Sequence, residues 1–434
     1  MSFELVRGTR DILPDEASRW QRIEEAFREV ARRYNYREIR FPILEQTELF
    51  TRGIGETTEV VNKQMYTFPD RKGRSLTLRP EGTASAARVY LNAGLHVNDP
   101  FQKWYYVGPM FRYEKPQKGR YRQFDQYGVE VFGSLDPSVD AEVIAFAWAL
   151  MSELGLEGLR LKLNSIGCPE DRARFQEVLR EHFAESIASM CPDCQRRHTE
   201  NPLRILDCKE SGCQPFIEKA PGSVDHLCSD CTDHFAEVQT LLDRLTLPFE
   251  IDPRLVRGLD YYTRTVFELI SDDLGAQDSL LGGGRYDGLI ETLGGPATPG
   301  IGFAGGTDRL ALVLREQHYR SGEDDRIDLF LAALGEEAHR EAMMAAFSLR
   351  QEGLSVEFDH RHRSLKKQLT MANKLGSCFL IVFGDDEVDS RQVWIKDLDT
   401  GDGRESALIM KPLARMLKEM LRKKEEDGSE ARRH

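Results

Sequence analysis

Five basic side chains crowd into residues 112–122: Arg112, Lys115, Lys118, Arg120 and Arg122, against one acid, Glu114. Apolar and aromatic residues flank the stretch on both sides, so it reads as a long cationic loop joining two strands. Most hairpin loops are short, and longer ones with a defined sequence are often functional. A basic loop between buried strands is suited to holding phosphate. Side chains alternate along a strand, so Gln126, Gly128 and Glu130 share one face of the second strand while Tyr127, Val129 and Val131 share the other. An amide and a carboxylate on either side of a glycine make a floor for a small polar ligand.

Other candidates lie further along. Arg257-Gly258 precedes a strand rich in aromatic and β-branched residues. Arg309 falls near the start of a helix, where a cation opposes the helix dipole and points to an anionic partner. Glu81 and Thr83 sit at a strand-to-helix corner. Glu81 there either caps the helix or accepts from a ligand ammonium, and the sequence leaves both readings open. Six of the eight cysteines fall between residues 191 and 231, including the pairs Cys191-x-x-Cys194 and Cys228-x-x-Cys231. Four thiolates in two such pairs match a tetrahedral zinc site; the other reading is reduced thiols in a helical segment.

These residues need a scaffold of more than one domain. At 434 residues the chain exceeds what one core serves, and 40% hydrophobic with 30% charged residues is an ordinary globular composition. No apolar run reaches membrane-spanning length and the N-terminus lacks a secretory pattern, which predicts a cytoplasmic protein without membrane contact. The net charge of −13 argues against a general nucleic-acid coat but leaves room for local basic patches.

Helical spacing of Trp20, Ile23, Phe27 and Val30 predicts an amphipathic helix over about 15–34. Pro42 interrupts the strand that follows and marks it as an edge. Residues 65–79 read as a hairpin with a turn at 70–73. Residues 168–247 read as a helical insertion between sheet strands. Past a charged linker, strand and helix alternate as in an α/β domain on a small, mostly parallel sheet. The expected boundaries are 1–325 for the first domain, 326–425 for the α/β domain and 426–434 for a tail. Six basic residues against one acid in 411–424 make either a solvated face or a phosphate contact.

The stretch from Gly108 to Phe124 resembles motif 2 of the class II aminoacyl-tRNA synthetases, residues 302–310 are similar to motif 3, and the Pro42 region is similar to motif 1. Leu255-Val-Arg-Gly-Leu-Asp-Tyr-Tyr and Gly283-Gly-Arg-Tyr-Asp-Gly-Leu resemble two signatures of the histidyl-tRNA synthetases. The resemblance runs from residue 5 to about residue 425. It departs from the usual motif 3 at Gly306, Thr307 and Asp308, where relatives carry larger apolar residues and a glutamate.

The resemblance implies an α+β catalytic domain on an antiparallel sheet with a helical insertion, followed by an α/β anticodon-binding domain, in a homodimer. It implies ATP with Mg²⁺, L-histidine and tRNA as substrates, with histidyl-adenylate formed first and histidine then passed to the tRNA 3′ end. Catalysis falls to Arg257 and Arg112, and ATP binding to Arg112 and Arg309. Histidine binding falls to Glu81, Thr83, Gln126, Glu130, Arg257, Tyr261 and Tyr262. Gln117, Arg120 and Arg122 would contact tRNA. The alternatives are an inactive regulatory relative or a stress-sensing tRNA-binding domain. Arg257 and the C-terminal α/β segment favour the enzyme over the first, and the lack of a kinase disfavours the second.

Overall fold

The predicted first helix is Pro14–Arg33, with proline in its first turn, Asp15 and Glu16 at its positive end and Arg32 and Arg33 at its negative end. Its stripe of Trp20, Ile23, Phe27 and Val30 is buried against sheet residues Tyr127, Val129, Val131 and Phe303. The computed structural model describes residues 3–55, 58–115, 119–271, 279–317 and 326–431. Its internal contacts divide the chain into two units, Met1–Tyr319 and Arg320–His434.

Strands of the first unit are β1 (Arg37–Glu38), β2 (Leu44–Gln46), β3 (Tyr66–Pro69), β4 (Ser75–Leu78), β5 (Gln102–Phe111), β6 (Gln123–Phe132), β7 (Leu159–Ser165), β8 (Glu250–Ile251), β9 (Thr263–Ser271), β10 (Ser279–Arg285) and β11 (Gly300–Gly306). Eight of them form one sheet in the order β1-β5-β6-β11-β10-β9-β7-β8, antiparallel except at the outer pairs β1/β5 and β7/β8. Pro42 ends the predicted edge strand more sharply than expected. Before it, β1 pairs with β5; after it, β2 joins the separate sheet β2-β4-β3.

Register explains why this sheet holds a cleft. Tyr106, Gly128, Ala304, Gly282 and Glu268 stand side by side across five strands. Paired residues point to the same face, so three minimal side chains at mid-sheet leave a depression walled by a tyrosine and a glutamate. The opposite face carries Tyr127, Val129, Phe303 and Phe267 into the main core.

Between β7 and β8 the chain leaves the sheet for helices Pro169–Phe183, Pro192–Glu200 and Ser229–Arg244 with short turns between them. Phe175, Leu179, Phe183, Leu203 and Ile205 make a core of their own. The last helix instead joins the main core through Phe235, Val238 and Leu242.

The second unit has the strands β12 (Leu329–Ala333), β13 (Val356–Phe358), β14 (Phe379–Phe383), β15 (Gln392–Asp397) and β16 (Gly403–Ala407). Its sheet is mixed, not mostly parallel: β12 pairs in parallel with β13 and β14, whereas β14/β15 and β15/β16 are antiparallel. The sequence hides β16 because this edge strand is largely exposed and has almost no apolar side chains. The final helix, Met410–Ala431, continues past residue 426, where a tail was expected.

Candidate active site

A cleft of about 890 Å³ opens over the glycine-rich centre of the large sheet, within the size range of small-molecule sites. Residues from several parts of the chain line it, among them Glu81 and Thr83, the motif-2 hairpin, the segment 255–262, β9 to β11, the start of the helix Thr307–Glu316 and insertion residues such as Arg204 and Cys208. Arg112, Arg257 and Arg309 all face this one cleft, as do Gln126, Tyr261 and Tyr262.

Each arginine is fixed by a neighbour. Arg257 donates from Nη1 to Glu268 Oε1 at 2.8 Å and lies against Gly282, where a Cβ would come within 2.2 Å of the guanidinium. Arg112 is held through Nε by the carbonyl of Pro80 at 2.8 Å. Arg309 donates to the carbonyl of Ser279 at 2.9 Å. Burial, followed by the Arg120 cation, depresses Arg309 below the usual arginine value; Glu114 and Glu268 oppose this, and Arg112 adds to it. Cations crowded against one another in a concave site are arranged for an anion.

The acceptors fall into two layers. Gln126 Oε1 is buried with no hydrogen-bond partner among the described residues, as an acceptor waiting for a ligand donor would be. Glu81 is 3% exposed, and its two oxygens accept from the amides of Thr83 and Ala84 at 2.7 and 2.9 Å. The capping reading of Glu81 is therefore realised, and the same carboxylate also lines the cleft.

Glu130, expected to touch the imidazole, lies one layer deeper. It is fully buried, and its oxygens accept from Thr83 at 2.7 Å, from Tyr106 at 3.1 Å and from Tyr286. It rests beneath Gly302, where a Cβ would meet its Oε2 at 2.3 Å. Burial pushes its carboxyl up to about 8, with Glu81 adding to the rise and the three hydroxyls opposing it. Hydroxyls that donate to Glu130 keep lone pairs for other partners, so Thr83 and Tyr286 can accept from a ligand N–H in the cleft.

Of the proposed tRNA contacts, Gln117 lies outside the described residues. Arg120 lines the cleft, 3.5 Å from Glu114. Arg122 instead packs its guanidinium over the Tyr113 ring at 3.8 Å. Asp308, the departure in motif 3, pairs with Arg10 at 3.1 Å. The four-thiolate reading of the two pairs is not realised: Cys191 and Cys194 belong to one cluster and Cys228 and Cys231 to another. The pairs start different helices, Pro192–Glu200 and Ser229–Arg244, a separation that C-x-x-C spacing alone does not reveal.

Sequence reasoning missed Tyr286, Glu268 and Tyr106 as parts of the site. Tyr286 was within reach, since it sits inside the quoted Gly-Gly-Arg-Tyr-Asp stretch. Glu268 and Tyr106 are visible only once register sets them beside Gly282 and Gly128.

An antiparallel sheet carrying arginines from a strand hairpin and from a strand-to-helix corner defines the catalytic domain of a class II aminoacyl-tRNA synthetase. The family model described as histidyl-tRNA synthetase matches residues 8–310, and one described as anticodon binding domain matches residues 328–425. The chain is 50% identical over 402 residues to the histidine–tRNA ligase of Desulforamulus reducens, covering 93% of this chain and 96% of that one. It is 48% identical over 403 residues to that of Natranaerobius thermophilus, with the same coverage. The crystal structure of apo S. aureus histidyl-tRNA synthetase superposes with a TM-score of 0.80 at 39% identity, covering 96% of this chain and all of that one. The chain belongs to the histidyl-tRNA synthetase family and is an aminoacyl-tRNA ligase.

Proposed function

We propose that this one cleft activates L-histidine with ATP·Mg²⁺ and then transfers it to the 3′ end of tRNA(His). The observation that carries the reading is the meeting of Arg112, Arg257 and Arg309 with Glu81, Thr83 and Gln126 in the same cavity. The histidine carboxylate attacks the α-phosphorus of ATP, diphosphate leaves, and a terminal ribose hydroxyl of tRNA then attacks the adenylate carbonyl and releases AMP. Two anions must approach in the first step, so Arg257 bridges the carboxylate and the α-phosphate while Arg112 holds the α-phosphate. Arg309 takes the γ-phosphate end or the adenine face. Magnesium arrives with ATP, held mainly by phosphate and water. Glu81, Thr83 and Gln126 receive the α-ammonium. Tyr262 and Tyr286 read the imidazole with Glu130 behind them, and Tyr261 packs beside Tyr262, ring centroids 4.8 Å apart.

Arg120 and the exposed Lys411, Arg415 and Lys418 of the last helix are the cations we assign to tRNA. Lys424 is committed within its own unit, 2.6 Å from both Asp397 and Asp399. The working form is a cytoplasmic homodimer, with a catalytic domain over 1–325 and an anticodon-binding domain over 326–425. No helix among the described residues is long and apolar enough to cross a membrane. Pyrophosphate exchange tests the reading: it is expected with histidine and absent with the other amino acids, and exchange that ignores histidine contradicts it.

Glu130 adds a pH signature. Its folded value of about 8 lies above the ordinary 4.5, so its contribution to stability is full below pH 4.5 and lost as pH rises through 8. A ligand that brings N–H donors to this layer favours the ionised form. Histidine binding at pH 7 is then expected to release a proton from most molecules at this group, the release fading above pH 8. Calorimetry in buffers of different ionisation enthalpy reads that release. It should vanish in Glu130→Gln, and equal release in both proteins would contradict the assignment.

A further inference from the structure

None of the eight cysteines is in a disulfide, and seven gather at two points of the helical insertion. The sulfurs of Cys191, Cys194, Cys208 and Cys213 lie within 4.8 Å of one another, and those of Cys168, Cys228 and Cys231 converge equally on a carboxylate oxygen of Asp171. Buried cysteines can pack as small apolar residues, but packing does not require four sulfurs to share one centre.

In the first cluster, Cys191 Sγ and Cys208 Sγ are 3.8 Å apart. A disulfide would need about 2.05 Å, whereas a tetrahedron whose corners lie about 2.3 Å from its centre, the zinc–thiolate distance, has edges of about 3.8 Å. Backbone amides already point at the sulfurs. The Cys194 amide donates to Cys191 Sγ at 3.4 Å and the Cys191 amide to Cys213 Sγ at 3.3 Å, which stabilises thiolates.

The second cluster carries independent evidence. The Asp171 side chain is 2% exposed. Its Oδ1 accepts from the Cys228 amide at 3.0 Å and from Arg174, but its Oδ2 is buried and, among the described residues, faces only the weak thiol donors of the neighbouring cysteines. A buried carboxylate oxygen with only weak donors is costly, and a cation shared with three sulfurs would satisfy it.

The local architecture repeats. Cys168, Cys191 and Cys228 each precede the first residue of a helix, and Asp171, Cys194 and Cys231 follow three positions later in its first turn. We infer that the insertion holds two structural zinc ions, one on Cys191, Cys194, Cys208 and Cys213 and one on Cys168, Asp171, Cys228 and Cys231.

The first site stands at the wall of the active cleft, which Cys191 and Cys208 help to line. Between them in sequence, Arg204 binds Asp260 at 2.9 Å, next to Tyr261, and Arg197 binds Glu59 at 2.9 Å. The second site joins the starts of the helices Pro169–Phe183 and Ser229–Arg244. On the first of these, Arg172 donates to the carbonyls of Asp260 and Tyr262. Both ions thereby brace the segment that presents Arg257 and the two tyrosines.

The test is elemental analysis for zinc and iron on the full-length protein, purified with reductant and without chelator, incubated with excess zinc and passed through gel filtration. Two zinc per chain is expected, falling to one in Cys208→Ser and to one in Asp171→Asn. In the unmutated protein, titration with a mercurial should release the zinc in step with loss of reactive thiol, a readout that does not depend on variants folding. One equivalent, lost in Cys208→Ser and kept in Asp171→Asn, overturns the second site. One equivalent with the opposite pattern overturns the first. No retained zinc, or iron in its place, overturns both.

Discussion

Arg257→Ala is expected to lower histidine-dependent pyrophosphate exchange by about 10³-fold while leaving the fold intact. Removing one preorganised donor from a site of developing charge costs about 10²–10³ in rate, and Arg257 serves two reacting anions, which places it at the upper end. The structure explains why nothing replaces it. Its guanidinium occupies the space that Gly282 leaves open, and Glu268 fixes its direction at 2.8 Å. Arg257→Lys should recover little, because an ammonium cannot present a fork to two groups at once. The loss should appear in kcat for exchange more than in the KM for ATP, since Arg112 and Arg309 still hold the nucleotide. Exchange within about tenfold of the unmutated protein would contradict the role.

Asp140→Ala is expected to destabilise the first unit by about 3–5 kcal/mol, the usual cost of leaving one member of a buried ion pair alone. Asp140 and Arg285 are both fully buried, 2.6 Å apart, and His234 approaches the same carboxylate at 3.2 Å. Arg285 is further tied to Asp287 at 3.2 Å and to the carbonyl of Ser134 at 3.0 Å. The network joins the helix Pro137–Glu153, the last insertion helix and the strand end that carries Tyr286. Burial works against the Asp140 charge, but His234 and Arg285 hold its carboxyl below its ordinary value of 3.8. A depressed folded value means that the stabilisation is present at neutral pH and is lost as pH falls below about 4. Urea unfolding at pH 7 reads the change. A shift under about 1 kcal/mol would mean that the buried arginine finds another counter-charge.

These residues show where sequence reading works and where it stops. Alternation along residues 123–132 correctly put Gln126 and Glu130 on one face, because a strand's period is fixed by its backbone. Alternation does not give depth, so Glu130 reads as a direct ligand although three hydroxyls enclose it. Arg285 lies in a recognisable signature, yet its partner Asp140 is 145 residues away, a distance that periodicity cannot bridge. The cysteines fail in the same manner. Their spacing announces thiolate pairs, but which pairs meet depends on where three helices begin. The helical insertion and the alternating second unit were legible because composition changes with architecture, whereas the exposed strand β16 carried too few apolar residues to be seen.

The central claim is that one cavity brings a histidine carboxylate and the α-phosphate of ATP together under Arg257. A crystal structure of the full chain with histidine and a non-hydrolysable ATP analogue tests it most directly. The account predicts the α-ammonium on Glu81, Thr83 and Gln126, the α-phosphate on Arg112, and Arg257 bridging the carboxylate and that phosphate. Ligands bound in separate places, or an Arg257 side chain that touches neither of them, would contradict it.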